Sequence, residues 1–143
     1  MKFVIIYKYK STENKQGLER ELEQLSTLIS NMDHHETFIF DKDVKKWQEV
    51  DVPREQASPI VFNALKDCDA VIAYINHSEP SEGMHLEAGY AKALGKKIIL
   101  CVKKGENSGR LKPICDSYFE FKDFEDLQIQ LTDYLNKAFA VSQ

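Results

Sequence analysis

Apolar residues along this chain fall into two rhythms that take turns. Short unbroken runs of strand length, with β-branched or aromatic residues, cover Phe3 to Tyr7, Thr37 to Phe40, Asp69 to Ile75, Lys97 to Val102 and Tyr118 to Phe121. Between them the apolar positions recur every three or four residues, as one face of a helix does. Leu18, Leu22, Leu25, Ile29 and Met32 mark the first such face. Ile60, Val61, Ala64, Leu65 and Cys68 mark an inward stripe over Arg54 to Cys68, and Leu127, Leu131, Tyr134, Leu135 and Ala138 one over Asp123 to Phe139. Gly83 to Leu94 reads as a short helix rich in small residues, with Gly95 at its stop. Strands that are apolar throughout, alternating with helices, predict an α/β fold: a flavodoxin-like three-layer sandwich with a five-stranded parallel sheet in the order 2-1-3-4-5. The length of 143 residues predicts a single domain over 1–143.

The polar stretches add local expectations. Asp41 to Arg54 is charged and irregular, and reads as a lid or a long surface loop, whose Trp47 either pins it to the core or stacks on a base. His34 and His35 are expected in solvent. Glu19, Glu21 and Glu23 suit the dipole of the first helix, and Pro59 suits the first turn of the second. A polar loop, Lys103 to Pro113, precedes the last strand.

Composition narrows the function. With 43% hydrophobic and 29% charged residues the chain reads as soluble and globular. A net charge of −4 supplies no broad basic field, so a nucleic-acid polymer is not the expected partner, whereas a single nucleotide needs only a local anion site. Cys68, Cys101 and Cys115 are scattered and odd in number, which suggests reduced thiols, a cytoplasmic setting and no zinc site. The opening apolar run is too short for a secretory leader, and no run approaches a membrane span. No cofactor or metal is expected.

The candidate chemistry lies between Asp69 and Val102, a strand–loop–helix–strand unit whose first loop sits at the carboxyl end of a strand, where open α/β sheets bind ligands. The spacing there is Ser81-x-Gly83-x-x-x-Glu87-x-Gly89-x-Ala91, then Gly95-Lys96-Lys97. Gly83 permits close approach of backbone to a ligand, and the opening helix offers N–H groups to an anion. Glu87, one turn into the helix, can sit beside the same mouth. The plainer reading of the same residues is a helix cap followed by a solvated Glu.

These residues resemble the nucleoside 2-deoxyribosyltransferase family, which includes the small 2′-deoxynucleoside 5′-monophosphate N-hydrolases. The likeness rests on Asp69 opening a strand, Ser81 and Gly83 in the loop, Glu87-Ala88-Gly89-Tyr90-Ala91 in the helix, and Gly95-Lys96 before the next strand. It extends more weakly to Tyr7 and Ser11 at the first turn and to Ser108-Gly109-Arg110-Leu111 in the later loop. The resemblance implies chemistry at an N-glycosidic bond of a small nucleoside or nucleotide. Glu87 would be the nucleophile at C1′, with a covalent glycosyl intermediate. Tyr7 would orient Glu87 or line the sugar pocket, while Ser81, the backbone near Gly83, Ser11 and Ser108 would hold substrate. It also implies a homo-oligomer, a dimer at least, in which a neighbour's loop completes the site.

Two departures open alternatives. Eight residues before Asp69, where the family places a second Asp that serves the leaving base, this chain has Val61. Asp67, Asp69 and His85 are the nearby substitutes, and of these His85, as an imidazole, suits acid–base work. In addition Lys10 precedes Ser11 where the family prefers Gly, and Pro113 stands where phosphate-preferring relatives place a Ser. A non-catalytic nucleotide-binding module on the same fold is therefore the alternative. A divergent enzyme cleaving another N-glycosidic bond, such as that of a dinucleotide as some TIR-type domains do, is a third class.

Overall fold

The computed structural model describes residues 1–9, 13–32 and 34–139. Ser11, one of the expected substrate contacts, lies outside the described residues, as does Lys10. The chain runs β1 (Lys2–Ile6), α1 (Lys15–Ser30), β2 (Glu36–Phe38), α2 (Phe40–Asp43), α3 (Arg54–Asp67), β3 (Ala70–Ile75), α4 (Glu82–Ala93), β4 (Lys97–Lys103), a 3-10 turn (Lys112–Ile114), β5 (Ser117–Phe121) and α5 (Phe124–Ala138). All four strand pairings are parallel and the order is β2-β1-β3-β4-β5, as the alternation predicts.

The strand period sorts the core into two layers. Phe3 and Ile5 of β1 point to a cluster with α1 and α5, around Leu22, Leu25, Leu131 and Leu135. Val4 and Ile6 point the other way, to Leu65 of α3 and to Met84, Ala88 and Ala91 of α4. Small residues on α4 let that helix lie close to β3, which is buried along its whole length. Emptying one of these positions, Leu22→Ala for example, costs about 2–5 kcal/mol.

At the amino edge of the sheet two aspartates do the same job. Asp69 accepts the Lys2 N–H at 2.7 Å and returns its own N–H to the Lys2 carbonyl at 2.8 Å. Asp116 accepts from Ile98 N–H at 2.8 Å and donates back to the Ile98 carbonyl at 2.8 Å. Each aspartate lengthens a parallel ladder by one rung, so Asp69 is a strand-start residue, at the sheet edge opposite the loop that opens α4.

Several local expectations are corrected. His35 is buried, edge-on to the Phe3 ring with centroids 5.2 Å apart, because the chain turns inward into β2; His34 is exposed. α1 begins at the Asn14 cap, so Glu19, Glu21 and Glu23 lie beyond the first turn, too far in to serve the dipole; each instead accepts a bond from an aromatic residue. α3 starts at Arg54, well before Pro59, which sits inside the helix on its exposed side. Ile60 faces solvent, not the core. The stretch expected as a lid or loop holds α2 and a run of turns, with Trp47 packed against the α1/α5 layer and its ring N–H given to Glu23 at 2.6 Å.

Candidate active site

The carboxyl ends of β1 and β3 flank one cleft, at the place where the strand order reverses between them. Tyr7, Lys8, Tyr74, Asn76, Pro80 and Met84 line it. On the β3 side, Ser81 caps α4. Its backbone is extended and its Oγ accepts the Met84 N–H at 3.2 Å, which leaves the hydroxyl hydrogen to donate. Gly83 lies exposed in the first turn, where a Cβ would be in ordinary contact with Ser81 Oγ at 3.8 Å. Glu82 points to solvent.

Glu87, one turn further along α4, is partly buried. Burial, with a smaller contribution from the charge of Asp41, pushes its carboxyl up to about 7. A carboxyl so placed is divided between acid and anion near neutrality, and the anion is the form that can act as a nucleophile.

The β1–β2 side is a hydrogen-bonded network. The Tyr7 hydroxyl donates to Asp41 Oδ2 at 2.7 Å and accepts the Asp41 backbone N–H at 2.9 Å. Asp41 Oδ1 accepts from the Gln48 amide at 2.7 Å. Gln48 also reaches Tyr9, whose hydroxyl donates to Glu19 at 3.1 Å. Burial, then the neighbouring Asp41 charge, and last that of Glu87, raise the Tyr7 hydroxyl well above its ordinary value, so it stays protonated. Tyr74 and Asn76, at the end of β3, both donate to Glu21, at 2.6 and 2.8 Å.

His85 is held at both nitrogens. Nε2 accepts the Arg110 N–H at 3.1 Å, which leaves the ring proton on Nδ1 to donate to the Ser81 carbonyl at 2.9 Å. The ring therefore ties the later loop to the α4 cap. Gly109, at φ +58°, passes so close that a Cβ there would lie 2.8 Å from His85 Nε2. Ser108 is partly buried in the turn before it and gives its carbonyl to the Leu111 N–H at 3.1 Å.

The structure thus sets Glu87 within electrostatic reach of Tyr7 and Asp41, on the helix that Ser81 caps, and ties His85 of that helix to the loop that follows Ser108. Val61 is half-buried against the core layer under α3 and α4, and no acid on α3 replaces it: Asp67 is exposed at the helix end, and Asp69 closes the opposite edge. Sequence reasoning missed Asp41 and Gln48. Asp41 follows directly on the second apolar run, at a strand's carboxyl end, and that position was the available signal.

The sequence pattern of the family described as nucleoside 2-deoxyribosyltransferase matches residues 10–131. The fold is similar to that of a CMP N-glycosidase from Clostridium botulinum, at 19% identity and a TM-score of 0.68, over 94% of this chain and 100% of that one. It is similar also to a 2-deoxyribosyltransferase from Bacillus psychrosaccharolyticus, at 18% identity and 0.60, over 90% of each chain. A third similar structure is a 2-deoxyribosyltransferase from Leishmania mexicana, at 18% identity and 0.63, over 93% of this chain and 97% of that one. At such identities the likeness establishes the fold. No curated protein matches in sequence.

Proposed function

Since the chain belongs to the nucleoside 2-deoxyribosyltransferase family, we propose that it opens the N-glycosidic bond of a nucleoside or nucleoside monophosphate, with Glu87 as nucleophile. The observation that carries this reading is Glu87 itself: a partly buried carboxyl, raised to about 7, one turn from the helix opening that faces the cleft. A Glu87 oxygen attacks C1′, the C1′–N bond breaks, and its electron pair leaves with the base, which takes up a proton. The glycosyl ester then yields to water, giving the free sugar, or to a second base, giving a new nucleoside; in either case Glu87 is regenerated as carboxylate. Two displacements of lower barrier replace one, as in retaining glycosidases.

Other residues take roles from their placement. Tyr7, protonated and fixed, lines the sugar side and orients Glu87. Ser81 and the N–H groups about Gly83 meet the 5′-hydroxyl or 5′-phosphate. His85 holds the loop that carries Ser108 against the cap, which brings that loop to the rim; Ser108 and Ser11 are further substrate contacts. The working form is a homodimer in the cytoplasm, acting as a single domain. Leu86 is 66% exposed and, with Ile60 and Leu94, gives the α3/α4 face an apolar surface for a second copy. No helix among the described residues is long and apolar enough to cross a membrane.

A second reading, binding without turnover, is favoured by one observation: Val61 is packed among apolar side chains, so α3 supplies no acid for the leaving base. The test is a panel of ribo- and deoxyribonucleosides and their 5′-monophosphates, with released base measured by chromatography. Base release lost in Glu87→Gln supports the enzyme. Calorimetric binding of monophosphates without release supports the binding module.

A further inference from the structure

We propose that Asp41, at the carboxyl end of β2, is the second carboxylate of this site, a positioning residue that fixes the Tyr7 hydroxyl and sets a like charge beside Glu87. The proposal rests on the reading of Glu87 as the reacting group and gives the site the acid that α3 lacks, from a different element.

Three features of geometry support it. First, the contact with Tyr7 runs both ways, hydroxyl to carboxylate and backbone N–H to hydroxyl, at 2.7 and 2.9 Å, so the Tyr7 hydroxyl cannot move away without breaking both bonds. Second, Asp41 is only 8% exposed, and a carboxylate so far from water needs donors; Tyr7 takes one oxygen and Gln48 the other. Third, Gln48 comes from backbone that is expensive to hold. Lys46, Trp47 and Gln48 lie at φ +49°, +54° and +75°, three side-chain-bearing residues in a row in the left-handed region. Such residues cost roughly 1–2 kcal/mol each, and they persist where surrounding contacts fix them. Here the contacts are Trp47 to Glu23, Gln48 to Asp41, and the Trp47 N–H to the Asp41 carbonyl at 2.7 Å. The strained turn is thus spent on the surroundings of Asp41.

The groups around Glu87 leave Asp41 as its charged neighbour. Tyr7 is a neutral hydroxyl at ordinary pH. On α4 itself, His85 is engaged with Ser81 and Arg110, Glu82 is exposed, and Lys92 pairs at 3.9 Å with Asp116 at the opposite edge of the sheet. Lys8, on the β1 side, bonds to Ser78 and the Glu79 carbonyl. The direction follows: the Asp41 charge disfavours ionised Glu87, and its removal lets Glu87 ionise at lower pH.

The experiment is a carbon-13 NMR titration of the Glu87 carboxyl in the full chain, assigned with Glu87→Gln, for the wild type, Asp41→Asn and Tyr7→Phe. The wild-type midpoint is expected at about 7. Asp41→Asn keeps the size and lowers the midpoint, whereas Tyr7→Phe keeps the charge and leaves the midpoint high. If Asp41→Asn folds poorly, Asp41→Ser, smaller and also neutral, gives the same reading. An unmoved midpoint in a folded neutral variant overturns the proposal. The acidic limb of kcat/KM should move down with the NMR midpoint. Absence of base release from every variant, with the NMR shift intact, would sink the enzymatic reading and leave the Asp41 assignment standing.

Discussion

Ser81, Gly83, His85 and Glu87 come from one short stretch around the opening of α4, whereas Tyr7, Asp41, Gln48 and Glu19 come from separate segments that meet only in the folded chain. The first group is placed by helix geometry: a capping Ser fixes the first turn, and the helical repeat then fixes where Glu87 emerges. The second is placed by a chain of hydrogen bonds and a strained turn. One wall of the cleft is local and survives small changes elsewhere. The opposite wall depends on several elements being right together, and a buried charge sits at its centre. The proposed nucleophile and the α4 cap belong to the robust wall; the residues proposed to tune them belong to the sensitive one.

The largest effect expected is on the robust wall. Glu87→Gln keeps shape but removes the attacking charge, and base release should fall by about a thousandfold or more with ligand binding largely kept. The same variant carries a stability signature. Because the folded-state carboxyl is raised from 4.5 to about 7, folding penalises its ionised form. The penalty is absent below about 4.5, grows as pH rises to about 7, and is constant above. Glu87→Gln should therefore be more stable than wild type at pH 8 by about 1–3 kcal/mol, discounted for the solvent the side chain still meets. The two proteins should converge near pH 4. Denaturant melts at both pH values check the sign.

Next comes the sensitive wall. Tyr7→Phe deletes the partner of a buried carboxylate and should cost about 1–3 kcal/mol in stability and roughly ten- to a hundredfold in turnover. Equal costs for Tyr7→Phe and for removal of an exposed hydroxyl, such as Tyr118→Phe, would erase the contrast between the walls. Gly109→Ala is smaller still. A methyl group there would press on His85 Nε2 and a left-handed backbone would become strained, so a loss of about 1–2 kcal/mol is expected, with weaker monophosphate binding in calorimetry. Glu82→Gln, exposed on the same helix as Glu87, should change stability and activity within about 0.5 kcal/mol.

The same contrast explains what could be read from the sequence. Strand and helix periods are local, so the sheet order and the position of Glu87 behind the Ser81 cap were legible, and the family resemblance lay in that contiguous stretch. Asp41 was not. It follows an edge strand of only three residues, and in sequence it merges with a charged segment that resembles a solvated loop. Its burial comes from Tyr7, far away in the chain, and from Gln48, which reaches it through a backbone conformation that no residue type there advertises. Ile60 erred the other way: its helical spacing fits an inward stripe, yet α3 turns it to solvent and meets the core layer through Val61, Phe62, Ala64 and Leu65. His85 looked like an acid–base group by residue type, and only the approach of Gly109 and Arg110 shows that both nitrogens are in use.

The most direct test of the central claim is to trap the intermediate. Wild-type protein would be mixed with whichever nucleoside or monophosphate releases base fastest, quenched in acid within milliseconds, and weighed intact before fragmentation. The expected result is an added mass of one sugar, or one sugar phosphate, on the peptide that carries Glu87, absent from Glu87→Gln. An adduct on another residue, or base release undiminished in Glu87→Gln, would contradict it.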